Sequence, residues 1–389
     1  MPFTVKHLNA DSTFLVSFTP SFTPSDADAD FPGSFTILID PWLSGHSSVW
    51  KPSFQISHHT SAPCVQSLTD IRLPDLIIIS QDKPDHCHRE TLCTLPHDTR
   101  IRILATPAAA KKIKSWKHFT NATIEFLVPY SPEKSDSLVR ILLQNYNSRS
   151  EPGEMTISYL PQKMDLTALH NAIGITYRSP GTTTITNSGT IVDLPVSPPV
   201  SPASSRTQTP HAQRSVESVN ANHSYMTPPA SPTDEQHPGS ALPGPSQRTL
   251  SVLYSPHGVS YSAIAPYAAS HLKKESALPL TALFHSINTE ENPWFMGGVV
   301  AAGYPGGEKI VRELGAEYWI SAHDEVKDNQ GWSVTWIKST AYTVEAAQRK
   351  LDQVLGQTFS SSSASKKADD ETTRTKIASM ESGESLFIT

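Results

Sequence analysis

Seven short apolar runs, each bounded by turn residues, restrict what this chain can fold into more than any other feature. They are Phe35 to Asp40 (FTILID), Asp75 to Ser80 (DLIIIS), Arg102 to Thr106 (RILAT), Gly174 to Arg178 (GITYR), Leu250 to Ser255 (LSVLYS), Thr281 to Ser286 (TALFHS) and Glu317 to His323 (EYWISAH). Runs this short and this continuously apolar read as buried strands. Helices fall between several of them. Thr106 is placed to cap a helix that has Pro107 at its first position, where the missing N–H costs nothing. Ile310, Val311 and Leu314 form one face of a second helix, and Gly315 can take the left-handed position that ends it. Strand and helix alternate through both halves, which predicts an α/β fold with at least one mixed sheet.

Composition sets the extent of the folded part. Residues 181–250 are dominated by Ser, Thr and Pro with no sustained period, and contribute heavily to 32 prolines in 389 residues. At a background near 5%, roughly 19 would be expected. Such a segment cannot bury enough apolar surface to offset its ordering entropy, so it is expected to be a disordered insert. The polar tail, 357–389, is expected to be disordered as well. That leaves residues 1–180 and 251–356 as two parts of one domain. The 31 basic and 37 acidic residues give a net charge of −6, which argues against a chain built to grip nucleic acid or an anionic membrane. Cys64, Cys87 and Cys93 offer no disulfide framework, and no apolar run is long enough to span a bilayer. A cytoplasmic protein is expected; the sequence leaves its oligomeric state open.

The residues with ligand chemistry lie just past the strand ends, where α/β folds build their sites. FTILID delivers Asp40, and DLIIIS runs into Asp85, His86 and His88. LSVLYS is followed by His257, and EYWISA by His323. Four strand ends converging on Asp and His form a metal-site pattern. No P-loop, dinucleotide fingerprint or nucleophile elbow competes with it.

The strand ending in Ile39-Asp40-Pro41-Trp42, the Asp85-His86 pair after a second strand, the Ala-x-Pro helix entry and the closing His323 together resemble the metallo-β-lactamase superfamily, in its lactonase-like branch. The resemblance covers roughly residues 5–338. It implies a four-layer αββα sandwich of two mixed β-sheets with a mononuclear or dinuclear site, usually zinc, where the sheets meet. The family's H-x-H-x-D-H loop falls on Gln81 to His86, so Gln81 and Lys83 stand where its first two histidines would. The later first-site histidine has no counterpart near residues 159–163, and His170 is off register. His257 stands where the family has a bridging Asp.

Two readings follow. In the first, Asp85, His86, His257 and His323 hold one divalent metal, with zinc the first choice and one ion favoured over two. His88 could replace a lost ligand. Asp85 serves catalysis as well as binding, and Lys83 holds an anionic substrate group or an oxyanion. The chain is then a metal-dependent hydrolase of a lactone or ester, with a phosphodiester a weaker fit. In the second reading the metal is gone, Asp85, His86 and Lys83 form an internal ion-pair and hydrogen-bond cluster, and the chain is a binding or scaffold protein. Its insert carries Ser197, Ser201, Thr209, Thr227 and Ser231, each before a proline, as a proline-directed kinase would require. Asp40 is expected to orient its loop through backbone N–H groups, His285 to sit in a strand, and His58 and His59 to face solvent.

Overall fold

The computed structural model describes residues 3–20, 31–144, 152–181, 184–185, 191–192, 248–362 and 374–388. The Ser/Pro-rich stretch 195–245, with all five Ser/Thr-Pro sites, lies outside them, and residues 1–194 with 246–389 form one unit.

Continuously apolar strands need cover on both faces, and these receive it. The first seven-stranded sheet has the order Ser385–Ile388, Phe3–His7, Phe14–Phe18, Phe35–Ile39, Leu76–Ile79, Arg102–Ala105, Thr123–Phe126. Its first three pairings are antiparallel and its last three parallel. The second sheet runs Lys376–Ala378, Tyr318–Ser321, Ala282–His285, Leu250–Ser255, Asn171–Arg178, Gly153–Pro161, Leu138–Leu143. Here the first three pairings are parallel and the last three antiparallel.

The sheets face each other across one core, to which Phe14, Ile37 and Ile78 contribute from the first and Ile175, Val252 and Phe284 from the second. Alternate residues point the other way. Leu38, Ile77 and Ile103 pack outward with Ala109 and Ile113 of the helix Pro107–Ser115. Leu253, Leu283 and Trp319 pack outward with Ile264, Ile310 and Leu351 of three further helices. Each fully buried aliphatic side chain contributes ~1.5–3 kcal/mol. The result is the expected four-layer αββα sandwich.

Two details sharpen the expectation. Pro107 does open its helix, but Thr106 makes no side-chain capping bond. Gly315 ends the helix Gly303–Leu314 at φ 65° and ψ 42°. Within that helix Gly307 is essential to the fit, since a Cβ there would lie 2.2 Å from the Trp319 ring.

The tail departs from expectation. The helix that starts at Val344 runs to Ser362, past residue 356, and Lys376–Ala378 and Ser385–Ile388 are strands at the edge of the second and first sheets respectively. Ile377, Met380 and Ile388 are buried. A handful of apolar residues suffices because a strand added to an existing edge gains its hydrogen bonds from a partner already in place.

Candidate metal centre

The parallel strands of both sheets end on the same side, and their ends bring four predicted ligands together. One ligand atom each from Asp85, His86, His257 and His323 lies within 4.8 Å of the others. His86 Nε2 stands 3.0 Å from His257 Nε2, and Asp85 Oδ2 is 3.9 Å from Nε2 of both His86 and His323.

The opposite ring nitrogen of His86 and of His257 is held by an acceptor that cannot donate, and that of His323 lies between the Asp11 carboxylate and the Lys327 ammonium, 3.2 Å from Nζ. His86 donates from Nδ1 to Asp40 Oδ2 (2.8 Å), His257 to the Val300 carbonyl (2.9 Å) and His323 to Asp11 Oδ2 (3.1 Å). In their neutral forms His86 and His257 are thereby left with an Nε2 lone pair aimed inward, the arrangement by which outer groups fix metal-binding imidazoles.

Asp40 does more than orient a loop. Its carboxylate accepts from the Ser80 N–H (2.7 Å) and hydroxyl (2.5 Å), and from the Tyr254 hydroxyl (2.9 Å), besides His86. Burial and the Asp40 charge hold the Tyr254 phenol well above its usual range, so it stays a donor. Asp11 is clamped between His323 and Lys327, whose Nζ lies 2.8 Å from Oδ1. Burial alone would push the Asp11 carboxyl up, but His323 and Lys327 hold it well below the usual range.

Electrostatics inside the cluster are uneven. Burial, with His323 and His86 nearby, drives His257 well below the ordinary imidazole value. Burial opposes charge on His86 too, but Asp85 and Asp40 outweigh it and raise that group. Asp85 is lowered despite its burial, by His86, His323 and Lys327. The cavity is arranged to hold a cation among three nitrogens and a carboxylate.

The other candidates go elsewhere. His88 is buried and caps the short helix Arg89–Leu92, accepting from the Thr91 N–H, with Nε2 3.3 Å from the His46 carbonyl. It is neither a ligand nor solvent-facing. Lys83 turns to Asp82 at 3.3 Å, so the ammonium beside the centre is Lys327 instead. The reading that Lys83 is the partner of Asp85 is corrected on that ground. Gln81 donates to the Leu169 carbonyl, and both His170 ring nitrogens face carbonyls, of Gly258 and Val299. His285 is buried in the second sheet, while His59 is half-buried against Glu325 at 2.5 Å rather than free in solvent. Asp11 was missed because it follows no recognised apolar run, and Lys327 because a lysine four residues past the run ending at His323 stands in no ligand motif.

Two mixed sheets packed face to face, helices outside both, and Asp and His at the shared strand-end edge decide the architecture. It is the four-layer αββα sandwich of two mixed sheets that the sequence resemblance implies. No family model matches the sequence, and no curated protein does. Among solved structures, the chain is similar to an isothiocyanate hydrolase from Delia radicum gut bacteria, at 11% identity and TM-score 0.47 over 98% of both chains. It is also similar to a possible metal-dependent hydrolase from Veillonella parvula, at 10% identity and TM-score 0.45 over 99% of this chain and 98% of that one. A third is the metallo-β-lactamase-fold protein YhfI of Bacillus subtilis, at 11% identity and TM-score 0.42 over all of both chains.

Proposed function

We propose that this metallo-β-lactamase-like chain is a metal-dependent hydrolase whose single divalent ion is held by Asp85, His86, His257 and His323. The observation that carries the reading is the 3.0 Å separation of two Nε2 atoms whose Nδ1 partners can only accept. Two such nitrogens come this close with a proton shared between them or with a cation beside them, and three nitrogens with one carboxylate suit a transition-metal ion. Zinc is the first expectation. Gln81, Lys83 and His170 are engaged elsewhere, which favours one ion over two.

The chemistry such an ion supplies is polarisation of the scissile bond and a nucleophile drawn from water near neutral pH. The chain's own groups do the rest. Asp40 and the Val300 carbonyl set the tautomers of His86 and His257, and Asp11 orients His323. Asp85, partly open to solvent and depressed, stays ionised and can accept a proton from water. A cleft of about 280 Å³, lined by Gln162, His170, Gly258, Tyr261 and Lys309 among others, starts at the residue after His257. Its mostly apolar wall, with a few polar groups, suits a lactone or ester of small to medium size. A phosphodiester is the weaker fit.

Elemental analysis of wild type, Asp85→Ala and His257→Ala, followed by a lactone and ester screen, tests this. The expected result is about one equivalent of metal in wild type, lost with activity in both variants. Wild type that takes up no metal after incubation with zinc or iron(II) ends the proposal.

A further inference from the structure

The loops around the metal centre carry large apolar side chains that the fold does not use. Thirteen large hydrophobic residues are exposed among the described residues, and nine of them lie on these loops. Four of the seven tryptophans are among the nine. Surface apolar residues are ordinary when scattered, but grouped they mark a binding surface.

Two groups stand out. Trp294 is 87% exposed and Phe295 61%, on the turn between the strands Thr289–Glu291 and Val299–Ala301. Met164 and Leu166 project almost fully from the neighbouring loop, which touches that turn where His170 Nε2 meets the Val299 carbonyl at 3.0 Å. The second group is Trp50, 86% exposed, with Trp332 and Trp336, linked through Phe54 by ring contacts of 4.8–6.2 Å. Trp336 lies two residues before the short strand Lys338–Thr340, which pairs with Thr289–Glu291 and so joins the two groups.

Each group is rooted in the centre. Val300, beside the first, holds His257, and Lys327, from which the chain runs to Trp332, holds Asp11. We infer that this aromatic rim docks the protein on a neutral, zwitterionic phospholipid surface with the metal centre facing the headgroups. Two observations select that occupant over a second protein. Exposed Lys51, Lys163 and Lys338 lie within two residues of Trp50, Met164 and Trp336, where long stems can follow the indoles and reach lipid phosphates. Glu291 and Asp328 are exposed on the same strands, so the rim is mixed in charge, as a zwitterionic headgroup layer is. The docking surface stands whether or not the centre is catalytic. That the scissile bond belongs to a lipid rests on the hydrolase reading.

The test is co-sedimentation of the full chain with phosphatidylcholine vesicles, read with tryptophan emission and quenching by brominated acyl chains. Wild type should sediment, shift to the blue and be quenched. Trp294→Ser with Phe295→Ser, and separately Trp332→Ser with Trp336→Ser, should each weaken binding at least tenfold while leaving the melting temperature unchanged. Asp85→Ala should bind vesicles like wild type, which separates docking from hydrolysis. Three results would overturn the inference: wild type that stays in the supernatant, rim variants that bind as well as wild type, or a wild-type dimer that the same substitutions convert to monomer.

Discussion

Asp40 and His323 both hold a left-handed backbone, at φ 44° and 65°, which non-glycine residues adopt at a cost of ~1–2 kcal/mol. Each is locked there by more than one bond. His323 receives Asp11 twice, its N–H donating to the Asp11 carbonyl at 2.8 Å and its ring to the carboxylate. Asp40 serves the centre without entering it, so Asp40→Asn should weaken zinc affinity ~10–100-fold, measurable by chelator competition, while Asp85→Ala abolishes uptake. Lys327→Met removes a positive charge from a fully buried carboxylate and should cost ~3 kcal/mol in urea unfolding; a loss under ~1 kcal/mol would mean that His323 alone neutralises Asp11. Asp85, His86, His257 and His323 were legible because each follows a recognised apolar run. Asp11 and Lys327 meet only through the tertiary fold, and no local pattern announces such a pair.

At the level of elements, all seven runs are strands to within a few residues, because a strand covered on both sides must be apolar throughout. The first two strands, Phe3–His7 and Phe14–Phe18, alternate buried and half-buried residues, a period of two that FTVKH begins to show and that Leu15 hides in FLVSF. The tail strands were not legible, since KIA and SLFI are too short to show a period and sit in polar surroundings. The fit of helix Gly303–Leu314 onto its sheet supplies a sharper test. Gly307→Ala drives a methyl into Trp319, whose indole donates to the His285 carbonyl at 3.0 Å, so helix or ring must shift. A destabilisation of ~1–3 kcal/mol is expected, with tryptophan fluorescence altered; an unchanged midpoint in urea would show that the helix can lift without cost.

Across the whole molecule, acid should act through buried neutral groups. Burial, with Arg140 and Lys274 nearby, pushes His271 down to about 3, and its Nε2 sits 2.8 Å from Thr156 Oγ1. The unfolded chain takes up this proton near pH 6.5 and the folded one cannot. The stability this residue contributes is therefore complete above pH 6.5 and is lost as pH falls toward 3, at up to ~1.4 kcal/mol per pH unit. His271→Gln should flatten the dependence of unfolding free energy on pH across that window. An identical slope in wild type and variant would mean that the imidazole charges in place.

The closing strands also set a clock. Phe3 pairs with Phe18 on one side and with Ile388 on the other, so one of the earliest strands to be made needs one of the latest. At ~5–20 residues per second of synthesis, the wait is roughly 20–80 s. During it the first sheet lacks its last strand and the edge at Phe3–His7 is open to any other extended chain, joined over the final part of the wait by the edge at Tyr318–Ser321. The nascent protein is thus most exposed to mispairing just before its fold can be finished, and a chain stopped at residue 373 would be held at that stage.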